Sequence, residues 1–313
     1  MKDFAHIPVM LEECISSLNI KDGGVYFDGT VGGGGHSYEI LKRSAPSGKL
    51  IATDLDDDAI SAASKRLSKF EGRFKIFKSD YKNFDEVLNL AGVEGLDGAI
   101  LDFGVSSFQL DCEERGFSYM KPDAPLDMRM DQTAVLTAEK LLNEYSQKQI
   151  AEILRDYGEE RFAGQIAANV IKKRSEKRIT TCGEFVEIIE SSIPAKFRQN
   201  GPCARKSFQA IRIAVNGELE GLYDCVIGLT RRLKKGARIA ILTFHSLEDR
   251  IVKQAFKTLE LDCVCDKSLP VCVCGKKKEI EIITKKPITA SVKEMAVNSR
   301  SKCAKLRIAE KVI

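Results

Sequence analysis

The sequence predicts an α/β fold: a mostly parallel, Rossmann-like sheet interrupted by an inserted all-helical domain. Three observations predict it. Strand-like and helix-like segments alternate through the first hundred residues, the pattern of repeated βαβ units. Four consecutive glycines, Gly32 to Gly35, separate the first strand from the helix after it. From about 134 to 191 the text is helical throughout, with no strand candidate inside it.

The apolar runs VYF (25–27), KLIAT (49–53), FKIF (74–77) and LDGAILD (96–102) read as strands. Helical patterns lie between them near 37–43, 57–69 and 83–90. Residues 104–130 are loop-like and rich in Gly, Ser, Asp and Pro. Four helical segments follow: TAEKLLNEY, KQIAEILRDYG, EERFAGQIAANVIKKRSE and TCGEFVEIIESSI. Helices resume at 205–215 and 217–234, and ARIAILTF (237–244) returns the chain to the sheet. Strand candidates at 279–283 and 304–312 allow an antiparallel final strand. The expected division is 1–110 for the first part of the α/β domain, 111–215 for the loop and helical insert, and 216–313 for the second part.

Hydrophobic residues make up 43% of the chain and charged residues 30%, which excludes disordered and collagen-like classes. No apolar run reaches the roughly 18 residues of a membrane span. The start, MKDFAHIPVM, lacks the apolar stretch of an export signal, so a cytoplasmic protein with reduced thiols is expected. The net charge of +4 is unevenly placed. Residues 1–160 hold 18 basic and 29 acidic side chains, and residues 161–313 hold 31 and 16. A basic second half points to a polyanionic partner, nucleic acid before membrane. Four of the ten cysteines, Cys263, Cys265, Cys272 and Cys274, fall in CVCDKSLPVCVC. Their number suits a tetrathiolate zinc site, but the usual two-residue gaps are absent, so a metal-free loop is the favoured reading.

The loop FDGTVGGGGHS (27–37) carries the chemistry. Glycines admit a close ligand and leave bare N–H groups at a helix start. The text fits neither the GxGxxG dinucleotide spacing nor a P-loop, which ends in Gly-Lys-Ser/Thr. Asp28 before the loop suits a ligand with an ammonium end, such as S-adenosylmethionine, with the N–H groups holding its carboxylate. Asp54 ends the second strand, where an acid bonds ribose hydroxyls, while Asp56 reads as the cap of the next helix. Tyr81, after the third strand, offers a flat face to an adenine or packs as a partly buried aromatic. Asp102 ends the fourth strand beside the expected methyl donor, and Gln109 can reach back with its amide.

These segments resemble the ribosomal RNA small subunit methyltransferase H family, also called MraW. The resemblance spans nearly the whole chain: HIPVMLEE (6–13), DGTVGGGGHS (28–37), TDLDDDAI (53–60), LDFGVSSFQLDCEERGFSYMKPDAPLDMRM (101–130), YGEE (157–160), KSFQAIRIAVNGEL (206–219), TFHSLEDRIVK (243–253) and NSRSKCAKLRIAE (298–310). It implies an S-adenosylmethionine-dependent enzyme that methylates the N4 exocyclic amine of a cytosine in the decoding centre of 16S rRNA, within the small ribosomal subunit. It places Gly34, Gly35 and His36 on the donor loop, Asp54 on the ribose, Tyr81 near the adenine, and Asp102 and Gln109 among the remaining cofactor contacts. Gly201 stands where relatives often have His, so no acid–base role falls there. Lys302 and Cys303 likewise replace the usual Arg-Ser.

Asp102 is the candidate acceptor of an amine hydrogen. Candidate substrate contacts are Asp127 and Arg129 in PLDMRM, Arg205, and His245 and Arg250 in TFHSLEDR. Ser246 and Asp249 have capping-box spacing. KKRSEKR (172–178), the set Lys196, Arg198, Arg205, Lys206 and Arg212, and Arg300, Lys302, Lys305 and Arg307 would form an RNA-facing surface. Two competing classes fit less of the text. A dehydrogenase has no use for the basic insert, and a non-catalytic RNA-binding factor has none for the glycine loop with Asp54 and Asp102.

Overall fold

A computed structural model describes residues 8–198, 203–266 and 271–313. Gly201 therefore lies outside the described residues. The chain divides into two compact units, Met1–Gly104 with Leu219–Ile313, and Val105–Glu218. The inner boundaries thus stand at 104/105 and 218/219, against the expected 110/111 and 215/216.

In chain order the elements begin with α1 (Leu11–Ser17), β1 (Val25–Asp28), α2 (Gly35–Arg43), β2 (Lys49–Asp54), α3 (Asp57–Leu67), β3 (Phe74–Lys78), α4 (Phe84–Leu90) and β4 (Leu96–Asp102). Next come α5 (Ser107–Asp111), α6 (Ala138–Glu144), α7 (Gln147–Gly158), α8 (Ala163–Glu176), α9 (Cys182–Ser192) and α10 (Ala204–Asn216). The chain ends with α11 (Leu222–Arg231), β5 (Leu233–Thr243), α12 (Ser246–Glu260), β6 (Ile280–Ile282), β7 (Ile288–Thr289), α13 (Val292–Val297) and β8 (Lys305–Lys311).

The sheet of the first unit runs β3-β2-β1-β4-β5-β8-β6, with β7 beside β8. Strands β1 to β5 pair in parallel, and β8 lies antiparallel against β5. This is the expected mostly parallel α/β sheet. Its order reverses between β1 and β4, the switch point outside whose carboxyl ends wound sheets bind ligands. Successive strand residues feed opposite cores. Tyr26, Leu50, Ile100 and Leu242 join the cluster that includes α1, α2 and α3. Phe27, Ile51, Leu101 and Ile241 join the cluster that includes α4, α11 and α12. Burial on both faces is why these strands read as continuous apolar runs.

The second unit is helical, around Leu141, Ile150, Leu154, Ile166, Val170, Phe185, Ile189, Phe208 and Ile211. Capping boxes start α7 (Ser146 with Gln149) and α9 (Thr181 with Glu184). Among the described residues no helix is long and apolar enough to cross a membrane.

Candidate active site

The glycine loop is tied down by short polar side chains at the carboxyl ends of β1, β2 and β4. Asp28 is only 2% exposed. Its two oxygens accept from the Thr30 N–H (3.1 Å) and the Ser37 hydroxyl (2.6 Å). Thr30 Oγ1 in turn accepts the Asp102 N–H at 2.6 Å, joining the loop to the end of β4. Thr53 donates to the Gly29 carbonyl at 2.8 Å. Asp28 thus holds the loop through both of its oxygens. The roles of Thr30, Ser37 and Thr53 escape sequence reading. A small hydroxyl residue in a loop is common, and only the fold brings these three to the strand ends.

Close packing accounts for two of the glycines. A Cβ on Gly35 would sit 2.2 Å from Pro8 Cγ, and one on Gly34 (φ +73°) would sit 3.1 Å from the Ala63 backbone. The chain before α1 therefore crosses directly over the start of α2. His36, at the same place, is buried and donates from Nε2 to the Val9 carbonyl at 3.2 Å. Its Nδ1 lies 3.8 Å from Asp102 Oδ2, beyond hydrogen-bond reach.

Asp54 accepts from the Gly32 N–H (2.8 Å) and the Asp56 N–H (3.0 Å). Asp56 caps α3 through the Asp58 N–H. Tyr81 is half-buried, its ring 5.3 Å from that of Phe103. Asp102 has the least settled carboxyl group of the site: its Oδ1 is shielded from solvent and accepts no hydrogen bond among the described residues. Burial pushes the Asp102 carboxyl well above its ordinary value, and the Asp28 and Glu248 carboxylates add to this. Burial likewise raises Asp28 and Asp54, each to about 6. Three carboxyl groups thus end β1, β2 and β4 where each resists carrying its charge alone. Such a set fits a cationic ligand, which restores the ionised forms.

The family model described as the MraW methylase family matches residues 3–312. The chain belongs to the MraW methylase family. A relative named Ribosomal RNA small subunit methyltransferase H, from Clostridium botulinum (strain Kyoto / Type A2), is 52% identical over 310 residues, 99% of this chain and 100% of that one. The relative of that name from Clostridioides difficile (strain 630) is 49% identical over 311 residues, again 99% and 100%. One from Agathobacter rectalis, named Ribosomal RNA small subunit methyltransferase H 2, is 51% identical over 310 residues, with 99% of each chain covered. The MraW-family protein is accordingly a methyltransferase.

Several residues expected at the methylase's cofactor and substrate sides make contacts within the protein. Gln109 is buried, and its Oε1 accepts the Ser106 N–H in a capping box that starts α5. Arg129 is turned into its own loop. Its Nε and Nη2 meet Asp127 at 2.9 and 2.7 Å, and its Nη1 donates to the Gln132 and Ala134 carbonyls. Of the two jobs expected for Asp127, it fixes Arg129. The same segment is stapled by Arg115, which donates to the Arg129 and Met130 carbonyls, and by Asn216, which bonds the Met128 carbonyl and the Met130 N–H. Much of the 101–130 motif is thus an interlocked polar loop within the helical unit.

His245, rather than Ser246, caps α12. Its Nδ1 accepts the Glu248 N–H, its Nε2 lies 3.0 Å from Glu248 Oε1, and Glu248 reaches back to the Phe244 and His245 N–H groups. The expected Ser246–Asp249 box is replaced because Asp249 binds Arg307 (2.6 Å) and Lys305 (3.3 Å). Arg250 and Arg205 are exposed.

The basic runs are also partly consumed. Arg174 donates to the Leu142 and Tyr145 carbonyls, Lys177 pairs with Glu184, and Arg178 pairs with Glu139. Arg212 makes a two-pronged contact with Glu218, and Arg198 donates to the Ile193 carbonyl. Arg307 is buried, so it belongs to the core and not to an RNA-facing tail. Lys172, Arg205 and Lys302 remain exposed and make no ion pair among the described residues.

Burial raises Asp249, but the Arg307 and Lys305 charges outweigh this and hold it below its ordinary value. Its stabilising contribution is therefore complete above the unfolded-state value and is lost as pH falls through the folded one. Arg307→Met should cost about 2 kcal/mol by removing a charge-assisted contact and leaving Asp249 to Lys305 alone. It should also flatten the acid limb of a stability–pH profile measured by urea unfolding. An unchanged acid limb would contradict this account of the pair.

Proposed function

We propose that this methyltransferase transfers a methyl group from S-adenosylmethionine to the N4 exocyclic amine of a cytosine in the decoding centre of 16S rRNA. It acts in the cytoplasm on the small ribosomal subunit. The observation that carries the reading is the unsatisfied, solvent-shielded Asp102 Oδ1 at the switch point. A buried acceptor without a partner is costly unless a ligand supplies one. The small-subunit names of the relatives support the substrate class.

The donor, when bound, supplies an electrophilic methyl on a positively charged sulfur that leaves as a neutral thioether. In this reading Asp54 holds the ribose, Tyr81 packs the adenine, and the loop N–H groups meet the carboxylate. Asp102 receives a proton from the N4 amine as the nitrogen forms its bond to carbon. A raised carboxyl has the proton affinity that task requires, and a neighbouring cation keeps it ionised until the proton arrives. The amine must leave any base stack to reach Asp102.

The deciding experiment is methyl transfer to unmodified small subunits and to naked 16S RNA, with mass mapping of the modified nucleotide. Modification of any base other than a cytosine, or of a cytosine at a position other than N4, would refute the reading.

Two further outcomes follow. Below about pH 6 Asp54 takes up a proton and loses the charge that favours a cationic ligand. Affinity for S-adenosylmethionine should therefore fall between about pH 7 and 5 in calorimetric titrations, and Asp54→Asn should flatten that dependence. A wild-type affinity constant across the range would count against a charged role for Asp54. Exposed Lys172 and Arg205 contact phosphate in this reading. Lys172→Gln with Arg205→Gln should weaken small-subunit binding and reduce the salt slope by about 1 per contact. An unchanged slope would remove these two side chains from the interface.

A further inference from the structure

We propose that Cys263, Cys265, Cys272 and Cys274 form a tetrathiolate site for one structural zinc ion. The four sulfurs lie within 4.8 Å of one another. Cys263 and Cys272 are 3.4 Å apart, Cys272 and Cys274 3.5 Å, Cys274 and Cys263 3.8 Å, and Cys265 and Cys272 3.9 Å. A tetrahedron with Zn–S bonds of ~2.3 Å has S···S edges of about 3.8 Å. A disulfide needs about 2.05 Å. The thiols therefore stand at the spacing of ligands around a single ion and not at that of bonded pairs.

The backbone is arranged to match. Two cysteines one residue apart on an extended strand point to opposite faces, which is why the C-x-C spacing reads poorly as a metal motif. Here the chain is irregular around both pairs, and each pair turns its thiols to one side. The intervening residues cross over reciprocally. The Val264 N–H of the first pair donates to Cys274 Sγ at 3.4 Å, and the Val273 N–H of the second donates to Cys265 Sγ at 3.3 Å. The Cys265 N–H donates to Cys263 Sγ at 3.3 Å. Such N–H donors offset the negative charge that four thiolates leave on a divalent ion.

The described apolar side chains of the segment are turned to water. The segment links α12 to β6, and Val264, Val271 and Val273 are 60%, 70% and 78% exposed. A zinc ion would tie the two cysteine pairs of such an exposed link together. On loading, each thiol releases its proton to solvent as its sulfur ligates the ion, with no change of oxidation state. The site lies on a different segment from the strand-end carboxylates, and its test is independent of methyl transfer.

The test is elemental analysis of the full chain, purified with reductant, incubated with zinc chloride and passed through a desalting column. About one zinc per chain is expected. Less than about a tenth of an equivalent would overturn the proposal. Cys263→Ser with Cys272→Ser should abolish retention, whereas Cys303→Ser, at an exposed cysteine outside the cluster, should keep it. Zinc retained in full by the double variant would overturn the assignment. Cobalt loaded into the unmutated chain gives a reading that does not depend on variant folding: the intense visible bands of tetrahedral thiolate coordination are expected. Weak octahedral bands alone would overturn it.

Discussion

Replacing Asp102 with asparagine should lower kcat by about 10²- to 10³-fold at saturating S-adenosylmethionine, the usual cost of removing one preorganised polar group from a reacting centre. Asparagine keeps the size of the side chain and removes its ability to take a proton. The folded state should tolerate the change, because Oδ1 gives up no hydrogen bond and the Thr30 contact is made by the backbone N–H. Burial strains the charged form of this carboxyl, so the melting temperature should hold or rise while turnover collapses. Single-turnover methyl transfer with saturating cofactor is the measurement. A rate within about threefold of wild type would assign the proton to some other acceptor.

Gly116→Ala should destabilise the helical unit by about 3 kcal/mol, from left-handed backbone strain and overpacking together. Gly116 has φ +67°, and its Cβ would lie 2.0 Å from the Pro125 carbonyl oxygen and 2.9 Å from the Asp127 nitrogen. Both contacts are backbone, so neither can rotate away. The interlock of Arg115, Asp127, Arg129 and Asn216 depends on that approach. Urea unfolding followed by protease sensitivity within 105–218 would read the loss. A midpoint equal to wild type would mean that the loop relaxes freely and that its hydrogen bonds carry little stability.

The parallel strands were legible because burial on both faces writes them as uninterrupted apolar runs, and the helical insert because four helical segments follow one another with no strand candidate between them. The strand-end acids were legible by position alone: Asp28, Asp54 and Asp102 close apolar runs. The partner each residue takes was not legible. Arg178 finds Glu139 across 39 positions, and Arg307 finds Asp249 across 58. A basic run therefore reads the same whether it faces RNA or neutralises its own fold. Short elements such as α1, α5, α13 and β7 were missed because so few residues show no period. The cap of α12 was misplaced by one residue, since an imidazole accepting an N–H imitates what Ser or Asp usually does.

The antiparallel placement of β8 between β5 and β6 has a consequence for synthesis. During translation β5 emerges about sixty residues before the strand that covers its free edge, or roughly 3–12 s earlier at ordinary elongation speeds. The helical unit has all its residues before then and can finish folding on the ribosome. The sheet cannot, and its central strand waits as an open edge on which nascent chains can pair wrongly. Premature termination before residue 305 should therefore yield aggregates and not a weakened enzyme.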